Sequence, residues 1–143
     1  MCKLFVGARS DLWESQTRSI RMEGMVTSVR LEKAFWMVLE EIAERDSMNV
    51  PQLLHQLYNE SLDEGHDIGN FTSFLRVCCL RYIDLRLHGL VQQTIEGSTL
   101  PVEEVLDREG EIHARRMARS LDRSLDRSLD RGLARLGGAD RAH

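Results

Sequence analysis

The sequence predicts a mainly helical protein with a short β-ribbon, a third buried helix and a C-terminal tail that is either helical or disordered. Three observations predict it. Residues 25–31 alternate, with Met25, Thr27, Val29 and Leu31 on one face and Val26, Ser28 and Arg30 on the other, the period of a strand. Residues 32–58 then carry two apolar stripes of helical spacing separated by a short connection. Residues 70–87 are apolar on several sides and so predict a helix that must be buried.

The first helix is expected over residues 32–45. Phe35, Val38, Leu39, Ile42 and Ala43 recur at spacings of three and four, and Glu40, Glu41, Glu44 and Arg45 lie mostly off that stripe. Asp46, Ser47 and Met48 connect. Asn49 is a suitable cap for the next helix, and Pro51 falls in its first turn, where a missing N–H costs nothing. Val50, Leu53, Leu54, Leu57 and Tyr58 form the second stripe. One strand and two helices, about 35 residues, are too few for an independent core. Two copies pairing their strands about a two-fold axis, with four helices over the ribbon, would complete it as an isologous dimer.

These residues resemble the ribbon-helix-helix DNA-binding proteins of the Arc and MetJ repressor type. The likeness lies in S-V-R-L-E at residues 28–32, A-F-x-x-V-L-x-x-I-A at 34–43 and N-V-P-Q-L-L at 49–54, and it covers residues 25–62. More narrowly, M-C-x-L-F, L-W-E-S, T-S-V-R-L-E, V-P-Q-L and F-L-R-V-C-C-L-R-Y, spread over residues 1–82, are similar to a group of bacterial proteins with a variant ribbon-helix-helix domain. The resemblance implies a homodimer that binds double-stranded DNA and represses transcription. On it, the outward ribbon residues Val26, Ser28 and Arg30 read bases in the major groove. Asn49 and Val50, at the second helix's N-terminus, hold a phosphate. Two departures matter. The reading face has one long basic side chain, and Ser47 stands where many relatives place glycine, at a cost of about 1 kcal/mol if the position is left-handed.

The domain boundaries expected are an N-terminal arm over 1–24, a ribbon-helix-helix domain with an extra helix over 25–88, a linker and amphipathic helix over 89–118, and a low-complexity tail over 119–143. In the arm, residues 4–6 suggest a short strand and Trp13 an anchor. Residues 17–22 admit two readings. With a turn at Glu23-Gly24 they fold back on residues 25–31, and a dimer would then carry a four-stranded sheet, too wide for a groove about 12 Å across. As a free arm they place Arg18 and Arg21 on phosphates, and the arm is the expectation adopted.

The net charge is −4, which does not advertise nucleic acid. The distribution is polar, however. Residues 1–36 hold six Lys/Arg against four Asp/Glu, and residues 37–70 one Arg against eight acids. That thin basic face keeps a second class of function open, a dimer of the same fold serving as a protein-interaction or adaptor module. The three cysteines, Cys2, Cys78 and Cys79, make no disulfide framework, so reduced thiols in the cytoplasm are expected. No signal-peptide pattern and no membrane-spanning apolar run is present. Cys2, were it made N-terminal, would offer the nucleophile used by glutamine-dependent amidotransferases. Such an enzyme needs far more chain, so no catalysis is expected and Cys2 reads as a packed residue. No cofactor motif is present, and Asp63, Glu64, His66 and Asp67 lack metal-ligand spacing, reading as a polar loop.

In residues 70–87 the core stripe is read as Phe71, Phe74, Leu75, Cys78, Tyr82 and Leu85, widened by Val77, Leu80 and Ile83. Asn70 or Thr72 is the cap, and His88-Gly89 the end. Residues 97–118 suggest an amphipathic helix interrupted at Gly110. Residues 119–135 repeat S-L-D-R, and Leu121, Leu125, Leu129 and Leu133 drift by about 40° per step, so no heptad seam forms.

Overall fold

A computed structural model of the chain describes residues 1–66, 69–91 and 100–137. The chain divides into two units, Met1–Gly97 and Ser98–His143. The first contains helix α1 (Cys2–Val6), a 3-10 turn (Ser10–Trp13), strands β1 (Ser15–Met22) and β2 (Met25–Glu32), and helices α2 (Lys33–Arg45), α3 (Val50–Asp63) and α4 (Phe71–Leu87). The second contains α5 (Val102–Gly137).

The largest correction to the sequence reading concerns residues 17–22, which are not a free arm. They belong to β1, which pairs antiparallel with β2 over eight residues, from Ser15 opposite Glu32 to Met22 opposite Met25. The loop is Glu23-Gly24, and both residues have positive φ, 50° and 79°. That is the signature of a two-residue type I′ turn, whose twist matches the strands it joins. The strand that β2 was expected to borrow from a second copy is thus supplied by its own chain.

The hairpin's inner face, Ile20, Met22, Val29 and Leu31, forms one layer of the core. Against it lie Trp36, Leu39 and Ala43 of α2, Val50, Leu53 and Leu54 of α3, and Leu75 and Cys79 of α4. Trp36 is the pivot. It has no exposed surface, and its Nε1–H donates to the Gln16 carbonyl of β1 at 2.9 Å. The sequence reading placed Phe35, Val38 and Ile42 on the core stripe and passed over Trp36; those three are only partly buried. The core stripe is rotated by about one residue because α2 must face a hairpin as well as α3 and α4.

Local signals end the helices. Asn49 caps α3 in a reciprocal box: its side chain accepts from Gln52 N–H, and the Gln52 side chain accepts from Asn49 N–H, each at 2.9 Å. Replacing Asn49 with alanine removes both halves of the box and is expected to cost about 1 kcal/mol in a urea titration, with serine restoring most of it. Helix α2 closes with Ser47 at φ 55° and Met48 N–H donating back to Ala43 at 2.9 Å, the bond pattern of a Schellman cap with serine in the left-handed place usually given to glycine. Gly65 and Gly89 close α3 and α4 in the same manner.

Four further expectations are revised. Residues 4–6 belong to α1 rather than a strand, and Cys2 is exposed rather than packed. Trp13 is 56 % exposed and does not anchor; the 3-10 turn is held instead by the ion pair of Asp11 with Lys33 and by Lys33 N–H donating to Glu14 at 2.9 Å. Lys33 and Arg9, bonded to Asp11, hold its carboxyl below the usual carboxylate range. On α4, Cys79 is buried and Cys78 only partly so, while Val77, Leu80 and Ile83 are exposed on this chain. Burial pushes the Cys79 thiol up to about 12, an inert core sulfur. Finally, α5 runs unbroken through Gly110 and through the S-L-D-R repeats to Gly137. One interior glycine costs only about 1 kcal/mol. The helix is supported by i, i+4 pairs such as Glu104 with Arg108 and Glu111 with Arg115, with glutamate on the N-terminal side. The expectations for Asp67, for residues 97–99 and for the tail beyond 137 fall outside the described residues.

Candidate nucleic-acid interface

Because side chains alternate along a strand, the hairpin has two unlike faces. The outer one is built by Ser15, Thr17, Ser19 and Arg21 of β1 and by Val26, Ser28, Arg30 and Glu32 of β2. Across the ribbon Thr17 faces Arg30, Ser19 faces Ser28, and Arg21 faces Val26. All six of these residues are exposed. The expected readers Val26, Ser28 and Arg30 therefore stand together on the outward face, beside three β1 residues that the sequence reading did not place there.

The charges on this face differ in their commitments. Glu32, at the base of the ribbon, accepts two bonds from Arg76 of α4 at 3.0 Å, and that guanidinium holds its carboxyl below the usual range. Arg21 and Arg30 have no ion-pair partner among the described residues, whereas Arg9, Arg18, Arg76 and Arg86 are all paired with carboxylates. Two unneutralised guanidiniums among small hydroxyl side chains make an outward surface that is basic, polar and nearly flat.

Arg18 goes to the opposite face. Its guanidinium lies 4.4 Å from the centre of the Trp36 ring and bonds Glu40 at 2.7 Å. An arginine at that position covers the indole and ties β1 to α2, so the structure separates it from Arg21, with which it was expected to share phosphate contacts. No periodicity in the sequence marks this, because the place of Arg18 depends on Trp36, eighteen residues away.

Asn49 and Val50 lie at the start of α3. The Asn49 N–H is already taken by Gln52, and Pro51 has none, which leaves Val50 as the first-turn donor outside the capping box. The tip of the hairpin approaches this turn. Arg21, Glu23 and Gly24 line a shallow groove of about 370 Å³ together with Pro51, Gln52 and His55. Arg21 and the α3 N-terminus are therefore neighbours, and both favour an anion.

The order strand, helix, helix with this capped turn is the pattern of one known domain. The family described as "Ribbon-helix-helix domain" matches residues 15–83, which span β1 to most of α4. An uncharacterized protein from Bordetella pertussis Tohama I has a solved structure similar to this chain, with 46 % identity, a TM-score of 0.64, and coverage of 73 % of this chain and 81 % of that one. The chain belongs to the ribbon-helix-helix family. No curated protein matches it. Ribbon-helix-helix domains are typically DNA-binding transcription regulators and usually dimerise. The matched region begins at Ser15, so the hairpin's first strand is part of the ribbon-helix-helix unit here rather than an appendage to it. No helix among the described residues is long and apolar enough to cross a membrane.

Proposed function

We propose that this ribbon-helix-helix protein is a homodimeric, sequence-specific DNA-binding repressor whose β1–β2 hairpin enters the major groove. The observation that carries the reading is the outer face of the hairpin, where Arg21 and Arg30 are exposed and unpaired on a two-stranded ribbon. Two strands about 4.8 Å apart fit a groove about 12 Å wide, and one chain supplies both. This removes the difficulty of a four-stranded sheet at the groove. Arg30 bonds guanine through its fork, Ser28 meets base edges, and Val26 meets a thymine methyl. Arg21 and the Val50 N–H hold a phosphate beside the ribbon tip, with Asn49 fixing the turn. Occupying a promoter blocks transcription without chemistry. Arg18 has a different role, joining the ribbon to α2.

The test is binding of the purified chain to fragments of the genome that encodes it, including its own upstream region, at two salt concentrations. Tight binding to a few fragments, weakening steeply with salt and reduced in Arg30→Ala by roughly 1–3 kcal/mol, is the expected result. No binding at low salt would reject the reading. The acidic net charge of −4 would then favour the protein-interaction module, and a pull-down would follow.

A further inference from the structure

The outward side of the α2–α4 pair is apolar and uncovered in the single chain. On α4, Val77, Leu80, Ile83 and Leu87 are 53 %, 67 %, 44 % and 78 % exposed. Spacings of three and four bring them to one side of the helix, while Leu75, Cys79 and Tyr82 turn inward. Beside Leu80 and Ile83 runs a groove of about 170 Å³, whose other walls are Ala34, Phe35 and Val38 of α2 and Cys79 of α4. Polar contacts close both ends. Arg76 bonds Glu32 at one, and Arg86 and Tyr82 bond Glu41 at the other.

We infer that this face is the dimer interface, and that a second copy of the chain covers it. Ridge and groove lie on the same patch, the condition an isologous two-fold contact requires: the Leu80 ridge of each copy fills the groove of the other. The charges agree. Helix α4 carries three arginines against one aspartate, and α2 three glutamates against one lysine and one arginine, so a two-fold sets a basic helix over an acidic one. An apolar centre within a rim of charged pairs is the ordinary anatomy of such a contact. Strand pairing between copies is not what creates the core here, because β1 already completes it. The inference deepens the proposed function, on which it rests only for its consequence: two complete hairpins in one dimer, and so two half-sites in the operator.

The test is sedimentation equilibrium of the full chain without DNA, so its outcome is separate from that of the DNA reading. Wild type is expected to dimerise. Leu80→Glu and Ile83→Glu, each placing an unpaired charge at the apolar centre twice per dimer, are expected to weaken association roughly 100-fold or more. The helical circular dichroism of the resulting monomers should stay native, since Leu80 is mostly exposed on one chain. Leu4→Glu, on the exposed apolar surface of α1, should leave association unchanged. Should Leu80→Glu lose its helical signal, Leu80→Gln asks the same question without the charge. A wild type that is monomeric throughout, or a dimer indifferent to both α4 substitutions, overturns the inference.

Discussion

Replacing Trp36 with alanine is expected to destabilise the protein by about 3–5 kcal/mol, the range for truncating a buried large aromatic. The indole sits at the junction of the hairpin and α2 with no exposed surface. Removing it leaves a cavity under Ile20 and Leu31, and the ribbon's inner face loses its principal cover. Two polar terms add to the loss. The Gln16 carbonyl loses its 2.9 Å donor, and Arg18 loses the ring beneath its guanidinium. Trp36→Phe separates these contributions. It keeps most of the ring but not the N–H, and should cost about 1–2 kcal/mol. Urea unfolding of both variants checks the order. An alanine variant within about 0.5 kcal/mol of wild type, the range usual for surface sites, would show that the hairpin does not depend on this packing. DNA affinity should fall with stability in Trp36→Ala, because the outer face is only as rigid as the inner one that holds it.

The double substitution Arg21→Ala with Arg30→Ala is expected to abolish specific DNA binding while leaving the fold intact. Both side chains are exposed and without ion-pair partners among the described residues, so their removal should alter stability by no more than about 0.5 kcal/mol. They lie four residues apart along the ribbon, about 14 Å, and should act independently. With about 1–3 kcal/mol for each contact, the double variant should lose roughly 2–6 kcal/mol. The two sites also separate by salt. Loss of the Arg21 phosphate contact should reduce the slope of log K against log salt by about 0.9 per protomer. Arg30→Lys should keep affinity for DNA in general and lose preference among sites, because lysine lacks the planar fork that grips guanine. Unchanged binding by the double variant would place the interface elsewhere on the protein.

The outer face of β2 was legible because its three readers, Val26, Ser28 and Arg30, follow a strict period of two. The facing strand was harder to read. Arg18 puts a charge on the inner face of β1, where alternation calls for an apolar residue, and the turn is Glu-Gly rather than the Asn-Gly or Asp-Gly that signals a hairpin most strongly. Arg18 is tolerated there only because its guanidinium lies on an aromatic ring and its charge meets Glu40. Thr17, Ser19 and Arg21 were missed as neighbours of the reading face for the same reason. Had Glu23-Gly24 been weighted as a positive-φ pair, the polar alternation of Ser15, Thr17, Ser19 and Arg21 would have been a usable signal.

What the sequence determined alone is what short-range chemistry decides: the alternation of β2, the helices that follow, the Asn49 cap with Pro51 behind it, and the left-handed exit at Ser47. Each depends on residues within one or two turns, where spacing and hydrogen-bonding capacity suffice. Only the tertiary structure decided which strand β2 pairs with, which side of α2 holds Trp36, that Arg18 and Arg21 part to opposite faces, and which half of α4 is buried. An eight-residue strand has two hydrogen-bonding edges and an apolar helix several candidate faces, and nothing local ranks them. Packing ranks them, because burying the indole of Trp36 against Gln16 and Arg18 stabilises one pairing over the others, and the rest of the core follows from it.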